Sequence, residues 1–253
     1  MGLMDSLKVL IIGGTGAIGG ELIRRYQEWS LSSGIPLDLY ATRRDGLSPV
    51  QSGVTWLTVD LRCPETISAA AEKLSSLTTT LNHWVCCSGY LHSEIGSPEK
   101  ALKALESEKI LGDFAVNSLG PLMMFQACMA LLKAAPLPKA VFLSAQVGSI
   151  EDNRSGGWYG YRMSKAALNR GVRCAAVECG RWRRPPAVVA VHPGTTISGL
   201  SEPFTAHRHP PPQTAERCAE QLLSRIQSLG VKDSGHSLRM TVHGFMFLPL
   251  MFE

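Results

Sequence analysis

Short runs of apolar, often β-branched residues alternate along this chain with longer segments whose apolar positions follow helical spacing. Residues 7–12 form the first such run, and in the segment 17–29 that follows, Leu22 and Tyr26 fall on one helical face. Further strands are predicted at residues 37–41, 54–59, 83–87, 140–143 and 187–191, and further helices at residues 64–77, 99–133 (one or two helices) and 161–179, and from an N-cap at Thr214 to a stop at Gly230. This alternation predicts an α/β fold, a doubly wound parallel sheet with helices on both faces.

The length of 253 residues allows one large domain or two small ones. We find no repeat and no linker, so we expect a single domain over residues 1–253. The most loop-like stretch, residues 198–214, contains His207, His209 and three consecutive prolines. It is expected to form a substrate loop over the sheet, because a further apolar segment, residues 240–252, follows it.

Composition argues against several classes of protein. A hydrophobic content of 45% and a net charge of +4 exclude a disordered chain. No run approaches the roughly 20 apolar residues of a membrane span. The densest basic cluster, Arg181, Arg183 and Arg184, is better explained by a helix C-terminus than by nucleic-acid binding. The partner that we expect is therefore a small molecule.

The seven cysteines indicate a reducing compartment. Their number is odd, and the first apolar stretch runs directly into glycines rather than into a signal-peptide cleavage site. Free thiols and a cytoplasmic location are therefore expected. No metal site is predicted, since no two cysteines have Cys-x-x-Cys spacing and the seven histidines are scattered.

A glycine-rich turn joins the first predicted strand to the first predicted helix. Glycine is needed where the backbone approaches a pyrophosphate closely, and the amides at the helix N-terminus supply the anion site. This strand–turn–helix context predicts a Rossmann-type dinucleotide site. The residues expected to line it here are Gly13, Thr15, Gly16, Ile18 and Gly19.

The end of the second strand favours NADP(H) over NAD(H). A carboxylate there would bind the ribose hydroxyl of NAD and repel a 2′-phosphate. This chain instead has Arg43 and Arg44, and arginine pairs bidentately with phosphate. The alternative is that both arginines are solvated and that Asp45 contacts the ribose.

Tyr161 and Lys165 are four residues apart, a spacing that places the phenol and the ammonium on one helical face. Tyrosine normally titrates near 10, which is too high for easy proton exchange at neutral pH. A neighbouring ammonium favours the phenolate, so Lys165 is expected to lower the pKa of Tyr161 and make it a usable general acid or base.

Together, the glycine turn and the Tyr-x-x-x-Lys pair resemble the short-chain dehydrogenase/reductase family. The resemblance covers residues 7 to about 204, and the segment 144–161 is most similar to C-factor-like members of a compact branch. It implies that Asn117 holds a water on the lysine, that a serine near Ser144 orients the substrate, and that the long helices form a homodimer or homotetramer. The cofactor contacts that it further implies are Asp60, Leu61, Ser88, Gly89, Pro193, Gly194 and Thr195, together with Tyr161 and Lys165.

Two departures from the family pattern concern the site itself. Cys86 and Cys87 replace the usual Asn-Asn pair before Ser88 and Gly89, which puts the cofactor contacts there in doubt. The catalytic serine position falls near Ser144 but could coincide with Ala145, in which case Ser149 is the alternative hydroxyl. A hydroxyl here would stabilise charge that develops on the substrate oxygen.

The function expected is an NADP(H)-dependent oxidoreductase, a carbonyl reductase that transfers hydride between the nicotinamide and a carbonyl or secondary alcohol. Tyr161, Lys165, Ser144 and Asn117 are its expected catalytic residues. The alternative is a signalling or regulatory protein of the same fold that binds the dinucleotide without physiological turnover.

Overall fold

Eight strands form one sheet in the computed structural model, which describes residues 6–46, 51–92, 96–206, 211–241 and 244–247. His207 and His209 of the predicted substrate loop, and most of the predicted apolar segment 240–252, lie outside the described residues. The strand order is β3-β2-β1-β4-β5-β6-β7-β8.

The strands are β1 (Leu7–Ile12), β2 (Leu37–Arg43), β3 (Thr55–Thr58), β4 (His83–Cys86), β5 (Lys139–Leu143), β6 (Ala187–His192), β7 (Ser237–Thr241) and β8 (Gly244–Phe247). The α-helices are α1 (Ala17–Ser33), α2 (Pro64–Leu77), α3 (Ser107–Phe114), α4 (Gly120–Ala134), α5 (Tyr159–Cys179) and α6 (Ala215–Ser228). Each strand from β1 to β7 pairs in parallel with its neighbours in that range, whereas β8 is antiparallel to β7.

The α/β fold class with a doubly wound sheet is confirmed, and the bounds of β1 and α2 are those predicted. The edge strand β8 departs from an all-parallel sheet, because only two residues of the chain separate it from β7. A connection this short can join only antiparallel strands, since a parallel connection needs a crossover of about a dozen residues or more.

The long helical segment predicted at 99–133 is divided into several pieces. A 3₁₀ turn at Leu102–Ala104 precedes α3, and a π-helical turn at Ala115–Leu119 separates α3 from α4. Gly120 permits this arrangement, because a β-carbon there would collide with the carbonyl oxygen of Leu61. The π-helical turn contains Asn117, and π-bulges are frequent at functional sites.

Helices cover both faces of the sheet and bury two apolar layers. On one face, α2, α4 and α5 pack against the sheet. Phe125 of α4 meets Trp84 of β4 and Phe142 of β5 at ring-centroid distances of 5.5 Å, and the latter two rings lie 4.6 Å apart. On the other face, α1 and α6 pack over β1 and β6, with Tyr26 and Leu222 fully buried. The sheet is therefore held rigidly between two layers of helices.

The direction of the strand order changes at β1, which lies between β2 and β4. The chain moves outward from β1 to β2 and β3, then returns to β4 on the other side. Connections that diverge in this way leave a crevice at the carboxyl ends of the strands, where ligands of such sheets bind.

One helical run in the described part of the chain is apolar and long enough, by length and composition alone, to cross a membrane. It is Ser107–Ala134, and its most apolar window has a mean hydropathy of 1.4. Half of that window is buried inside the fold, where Met124 and Phe125 pack against the sheet. The core helix of a soluble protein has the same properties, so this run is weak evidence for a membrane span.

Phe142→Ala tests the aromatic layer. Phe142 is fully buried between Trp84 and Phe125, and we expect its truncation to lower the free energy of unfolding by about 3–5 kcal/mol. Leu31→Ala is the control, because 86% of Leu31 is exposed and its loss should change stability little. Urea denaturation measures both, and equal effects of the two substitutions would contradict this account of the core.

Candidate active site

A cavity of about 1460 Å³ opens at the carboxyl ends of the strands. Its wall runs from the β1–α1 turn, past the ends of β2 and β4, to the start of α5. The predicted site residues that line it are Gly13, Thr15, Gly16, Ile18, Arg43, Arg44, Asp60, Leu61, Ser88, Gly89, Ser144, Tyr161, Lys165, Pro193, Gly194 and Thr195. The tertiary structure therefore brings the glycine turn and the Tyr–Lys pair into one space.

The glycine turn has no room for side chains at Gly13, Gly14 and Gly19, and a β-carbon on Gly14 would lie 2.8 Å from that of Ala41. Gly13 has a φ of +80°, and a β-carbon there would lie 2.7 Å from the Ser88 hydroxyl. A β-carbon on Gly19 would collide with the Gly13 carbonyl oxygen. Gly19 is buried rather than part of the cavity wall, so its contribution is to let α1 approach the turn closely.

Thr42, the residue before the two arginines, anchors the turn. Its hydroxyl accepts a hydrogen bond from the Gly13 N–H at 2.9 Å, and its carbonyl accepts one from the Gly14 N–H at 2.9 Å. The end of β2 and the glycine turn therefore have fixed relative positions. This contact was not predicted, because nothing in the local pattern around Thr42 distinguishes it from an ordinary strand threonine.

The end of the cavity next to β2 is lined by charged side chains. Arg44 is exposed there, and Arg43 and Asp45 also line the wall. Asp60 forms an ion pair with Arg62 at 2.5 Å, and the hydrogen bond from Arg62 holds the pKa of that carboxyl below its ordinary value. One of the acidic groups at this end is thus already paired with a cation of the chain.

Tyr161 and Lys165 project from the first turns of α5, and both side chains are buried. The Lys165 ammonium donates a hydrogen bond to the Leu143 carbonyl at 2.9 Å and lies 5.9 Å from the centre of the Tyr161 ring. Burial lowers the pKa of Lys165 to about 8.

The predicted lowering of the Tyr161 pKa is wrong for this structure. Burial, with a smaller contribution from Asp113, instead raises the pKa of Tyr161 well above its ordinary value. The physical reason is that desolvation penalises the phenolate, while the ammonium that would favour it is directed at a backbone carbonyl. The phenol therefore remains protonated at neutral pH.

Of the two candidate catalytic serines, Ser144 lines the cavity. It follows β5, and its hydroxyl donates a hydrogen bond to Asn169 Oδ1 at 2.6 Å. Ala145 also lines the wall but offers no polar group. Ser149 does not line the cavity, and its hydroxyl accepts a hydrogen bond from the Asp152 N–H at 3.3 Å. The geometry favours Ser144 over Ser149, and it adds Asn169 as a partner that the sequence reasoning missed.

Asn117 is fully buried and does not line the cavity. Its amide donates to the Tyr90 carbonyl at 2.7 Å and to the Ser164 hydroxyl at 3.1 Å, and its oxygen accepts from the Tyr90 N–H at 2.8 Å. The side chain thus joins the loop after β4 to α5. That Asn117 holds a water on Lys165, as the resemblance implies, stays a prediction.

Two aromatic residues line the cavity wall, and one of them, Phe204, belongs to the predicted substrate loop 198–214. Trp158 lies directly before α5 with a φ of +53°, and Phe204 lies on the loop after β6. Their rings meet edge-to-face at a centroid distance of 5.0 Å. The Gly156-Gly157 pair before Trp158 was a usable signal of an unusual turn, but no local pattern indicates the contact with Phe204.

Known proteins confirm the family that the motifs indicated. A family model described as short chain dehydrogenase matches residues 8–209. The chain belongs to this family. The residues matched by the family model include most of the sheet and all of the residues that line the cavity, from Gly13 to Thr205.

The chain is also similar to two curated proteins. The chain is 30% identical over 195 residues to 1-hydroxy-2-glutathionyl-2-methyl-3-butene dehydrogenase of Rhodococcus sp. (strain AD45), which covers 76% of this chain and 80% of that protein. It is 37% identical over 92 residues to C-signal of Myxococcus xanthus, covering 36% of this chain and 53% of that protein.

Solved structures share the fold at lower identity. The carbonyl reductase Sniffer of D. melanogaster has a TM-score of 0.77 at 23% identity, covering 93% of this chain and 97% of that one. NADPH-bound carbonyl reductase from chicken fatty liver has a TM-score of 0.78 at 22% identity, with the same coverage. At these identities the likeness shows the fold alone.

Lys165→Met tests the burial of the ammonium. The pKa of lysine is 10.5 in the unfolded chain and about 8 here, so burial costs the native state stability at pH values below 8. This cost disappears as the pH rises towards 10.5. We expect the free energy of unfolding of the wild type to rise relative to the variant by about 2–3 kcal/mol between pH 7 and pH 10.

Urea denaturation at both pH values measures this difference. Lys232→Met is the matched control, because Lys232 is exposed and its substitution should show no such pH dependence. A stability difference between wild type and Lys165→Met that is the same at both pH values would contradict a depressed pKa.

Proposed function

We propose that this protein is an NADP(H)-dependent oxidoreductase that reduces a carbonyl group or oxidises the corresponding secondary alcohol. One observation carries the proposal. The dinucleotide-type turn at Gly13 and the buried Tyr161–Lys165 pair line the same cavity, although they are far apart in the chain. A protein that only bound a dinucleotide would have no need of the Tyr–Lys arrangement.

The shape of the cavity fits a dinucleotide. The crowded backbone at Gly13 and Gly19 leaves the N-terminus of α1 open to a pyrophosphate, in the way that glycine turns bind this group. Arg43 and Arg44 would bind the 2′-phosphate, and Lys165 and Thr195 would bind the nicotinamide end. The bound cofactor supplies the hydride, which is chemistry that no side chain can provide.

Tyr161 is the proposed proton donor to the carbonyl oxygen of the substrate. The phenol is protonated at neutral pH, which is the form that reduction requires, but burial raises its pKa and makes it a weaker acid than an ordinary tyrosine. Ser144 would donate a hydrogen bond to the same oxygen once its hydroxyl turns from Asn169 towards the cavity. Lys165 would stabilise the phenolate that remains after the proton has moved.

Asn117 is proposed to be a positioning residue in this reaction. Its amide holds the Tyr90 backbone at the cavity wall and reaches the Ser164 hydroxyl on α5, one residue before Lys165. These hydrogen bonds fix the position of Tyr161 and Lys165 on α5 relative to the loop after β4.

The relatives support a dehydrogenase over a binding protein without turnover. The Rhodococcus relative is named as a dehydrogenase, and the two structural neighbours described above are named as carbonyl reductases. The alternative of a signalling protein draws on the C-signal relative and on the altered Cys86–Cys87 segment, where burial raises the pKa of both thiols. Sustained NADPH oxidation with any carbonyl substrate decides against that alternative.

We further propose a homodimer or homotetramer in a reducing, cytoplasmic compartment. Leu111, Leu119 and Met163 on the α3–α5 layer are 68%, 58% and 41% exposed, which suits a contact with a second copy. The seven cysteines are free thiols, as such a compartment favours.

Tyr161→Phe tests the proton donor. The substitution removes one hydroxyl from a buried ring, so we expect NADPH oxidation with a carbonyl substrate to fall by roughly 10²–10⁴-fold while NADPH affinity stays nearly unchanged. Turnover is followed by the loss of NADPH absorbance. Ser149→Ala, outside the cavity, should retain wild-type turnover, whereas full activity of Tyr161→Phe would show that the mechanism is wrong.

The double substitution Arg43→Ala/Arg44→Ala tests the choice of cofactor. Loss of charge-assisted bonds to the 2′-phosphate should weaken NADPH binding by roughly 10–100-fold and leave NADH binding nearly unchanged. Fluorescence titration measures both affinities. Arg183 and Arg184 are exposed and neighbour each other in the chain, so Arg183→Ala/Arg184→Ala is the control for the change in net charge. If Arg43→Ala/Arg44→Ala lowered the affinities for NADPH and NADH equally, the assignment would be contradicted.

A further inference from the structure

Four rings contact one another in sequence, from His92 in the loop after β4 to Tyr161 on α5. His92 meets Phe204 at a centroid distance of 5.5 Å, Phe204 meets Trp158 at 5.0 Å, and Trp158 meets Tyr161 at 6.3 Å. Trp158, Phe204 and Tyr161 all line the cavity, and the half-buried Leu200 lines the same region. Two aromatic rings, those of Trp158 and Phe204, therefore line the cavity next to the ring of Tyr161.

Trp158 occupies this wall with a backbone conformation that its residue type disfavours. It has a φ of +53°, the only positive value of a non-glycine residue in the described chain, and it follows Gly156 and Gly157 at +62° and +65°. Such a conformation persists only where the surrounding structure holds it in place. The contacts that do so identify the groups on which the position of the indole depends.

Glu99 provides two of these contacts. Its backbone carbonyl accepts a hydrogen bond from the Trp158 N–H at 2.5 Å, and its carboxylate accepts one from the Gly160 N–H at 3.1 Å. Glu99 is 61 residues from Gly160 in the chain and is 4% exposed. One buried residue therefore holds the turn on both sides of Tyr159, immediately before the reacting Tyr161.

Lys109 and Asp113 of α3 hold Glu99 in turn. The Lys109 ammonium lies 3.1 Å from the Glu99 carboxylate and 2.8 Å from that of Asp113. A β-carbon on Gly160 would collide with the Asp113 carboxylate, so the turn packs directly against this cluster. Side-chain exposure of the three groups is 7% or less, and a buried ion-paired cluster of this kind resists displacement.

None of these three charged groups has a part in the proton transfer described above. We propose that Glu99 is a positioning residue that holds the Trp158 indole as a wall of the substrate site, and that this wall favours a planar aromatic substituent beside the reacting carbonyl. The inference rests on the proposed oxidoreductase function for the identity of the reacting group. The aromatic preference follows because edge-to-face and offset-stacked ring contacts are more favourable than the contact of a ring with a methyl group.

A pair of matched diketones tests the proposal. Diacetyl and acetylbenzoyl are both α-diketones and differ in one methyl or phenyl substituent, which also changes the reactivity of the adjacent carbonyl, so the informative quantity is the change in preference between the wild type and each variant. We expect the wild type to prefer acetylbenzoyl in kcat/KM, and we expect Trp158→Ala to lower this preference by roughly tenfold through loss of one ring contact and its buried area. Glu99→Gln, which removes the charge that holds Lys109 and weakens the bond with Gly160, should lower the preference several-fold.

The double variant distinguishes positioning from general damage. If Glu99 acts through Trp158, Glu99→Gln should have no further effect on the preference once Trp158 is alanine, so the two effects are not additive. Lys139→Met is the control for lost stability, because Lys139 bonds the last carbonyls of α6 at the other end of the sheet. It should melt at a lower temperature and keep the wild-type preference.

Ligand-observed NMR with NADP present measures the dissociation constants of both diketones independently of turnover. A wild type that binds acetylbenzoyl more tightly but reduces neither diketone would refute the proposed function and still support the aromatic wall. The inference is overturned if the wild type shows no preference in binding or rate. It is equally overturned if Trp158→Ala leaves the preference intact, or if Glu99→Gln lowers it equally with and without Trp158.

Discussion

The close approach of backbone to backbone at the β1–α1 turn is the constraint on which the site depends. Gly19 of α1 rests against the Gly13 carbonyl, and Gly13 in turn faces Ser88 at the end of β4. Any side chain at either glycine would push α1 away from the sheet or separate the ends of β1 and β4. Because β4 lies next to β5, which leads to Ser144, the geometry of the reacting end also depends on this contact.

Burial dominates the electrostatics of the reacting end. It lowers the pKa of Lys165 to about 8 and raises that of Tyr161, so both groups are shifted towards their neutral forms. The native state accepts this cost of desolvation at both side chains. The apolar layers on both faces of the sheet, anchored by rings such as Trp84 and Phe142, supply the stability that offsets it.

The two ends of the cavity are built by different means. At the end near β2, the charged side chains of Arg43, Arg44 and Asp45 are exposed or partly exposed. Their positions follow from the place where β2 ends. At the reacting end, a strained turn at Trp158 is held by the buried cluster of Glu99, Lys109 and Asp113. Function there depends on contacts between segments that are distant in sequence.

The local sequence by itself determined the elements and the chemistry-bearing motifs. The bounds of β1 and α2 followed from apolar periodicity and from a proline at the start of the helix. The glycine turn and the Tyr161–Lys165 pair could be recognised because each is formed by residues that are close together in the sequence. Only the tertiary structure placed Ser144 rather than Ser149 on the cavity wall, reversed the expected pKa shift of Tyr161, and made β8 antiparallel. It alone revealed Glu99 behind Trp158, because burial and a hydrogen bond across 61 residues arise from packing, which no local pattern of residues encodes.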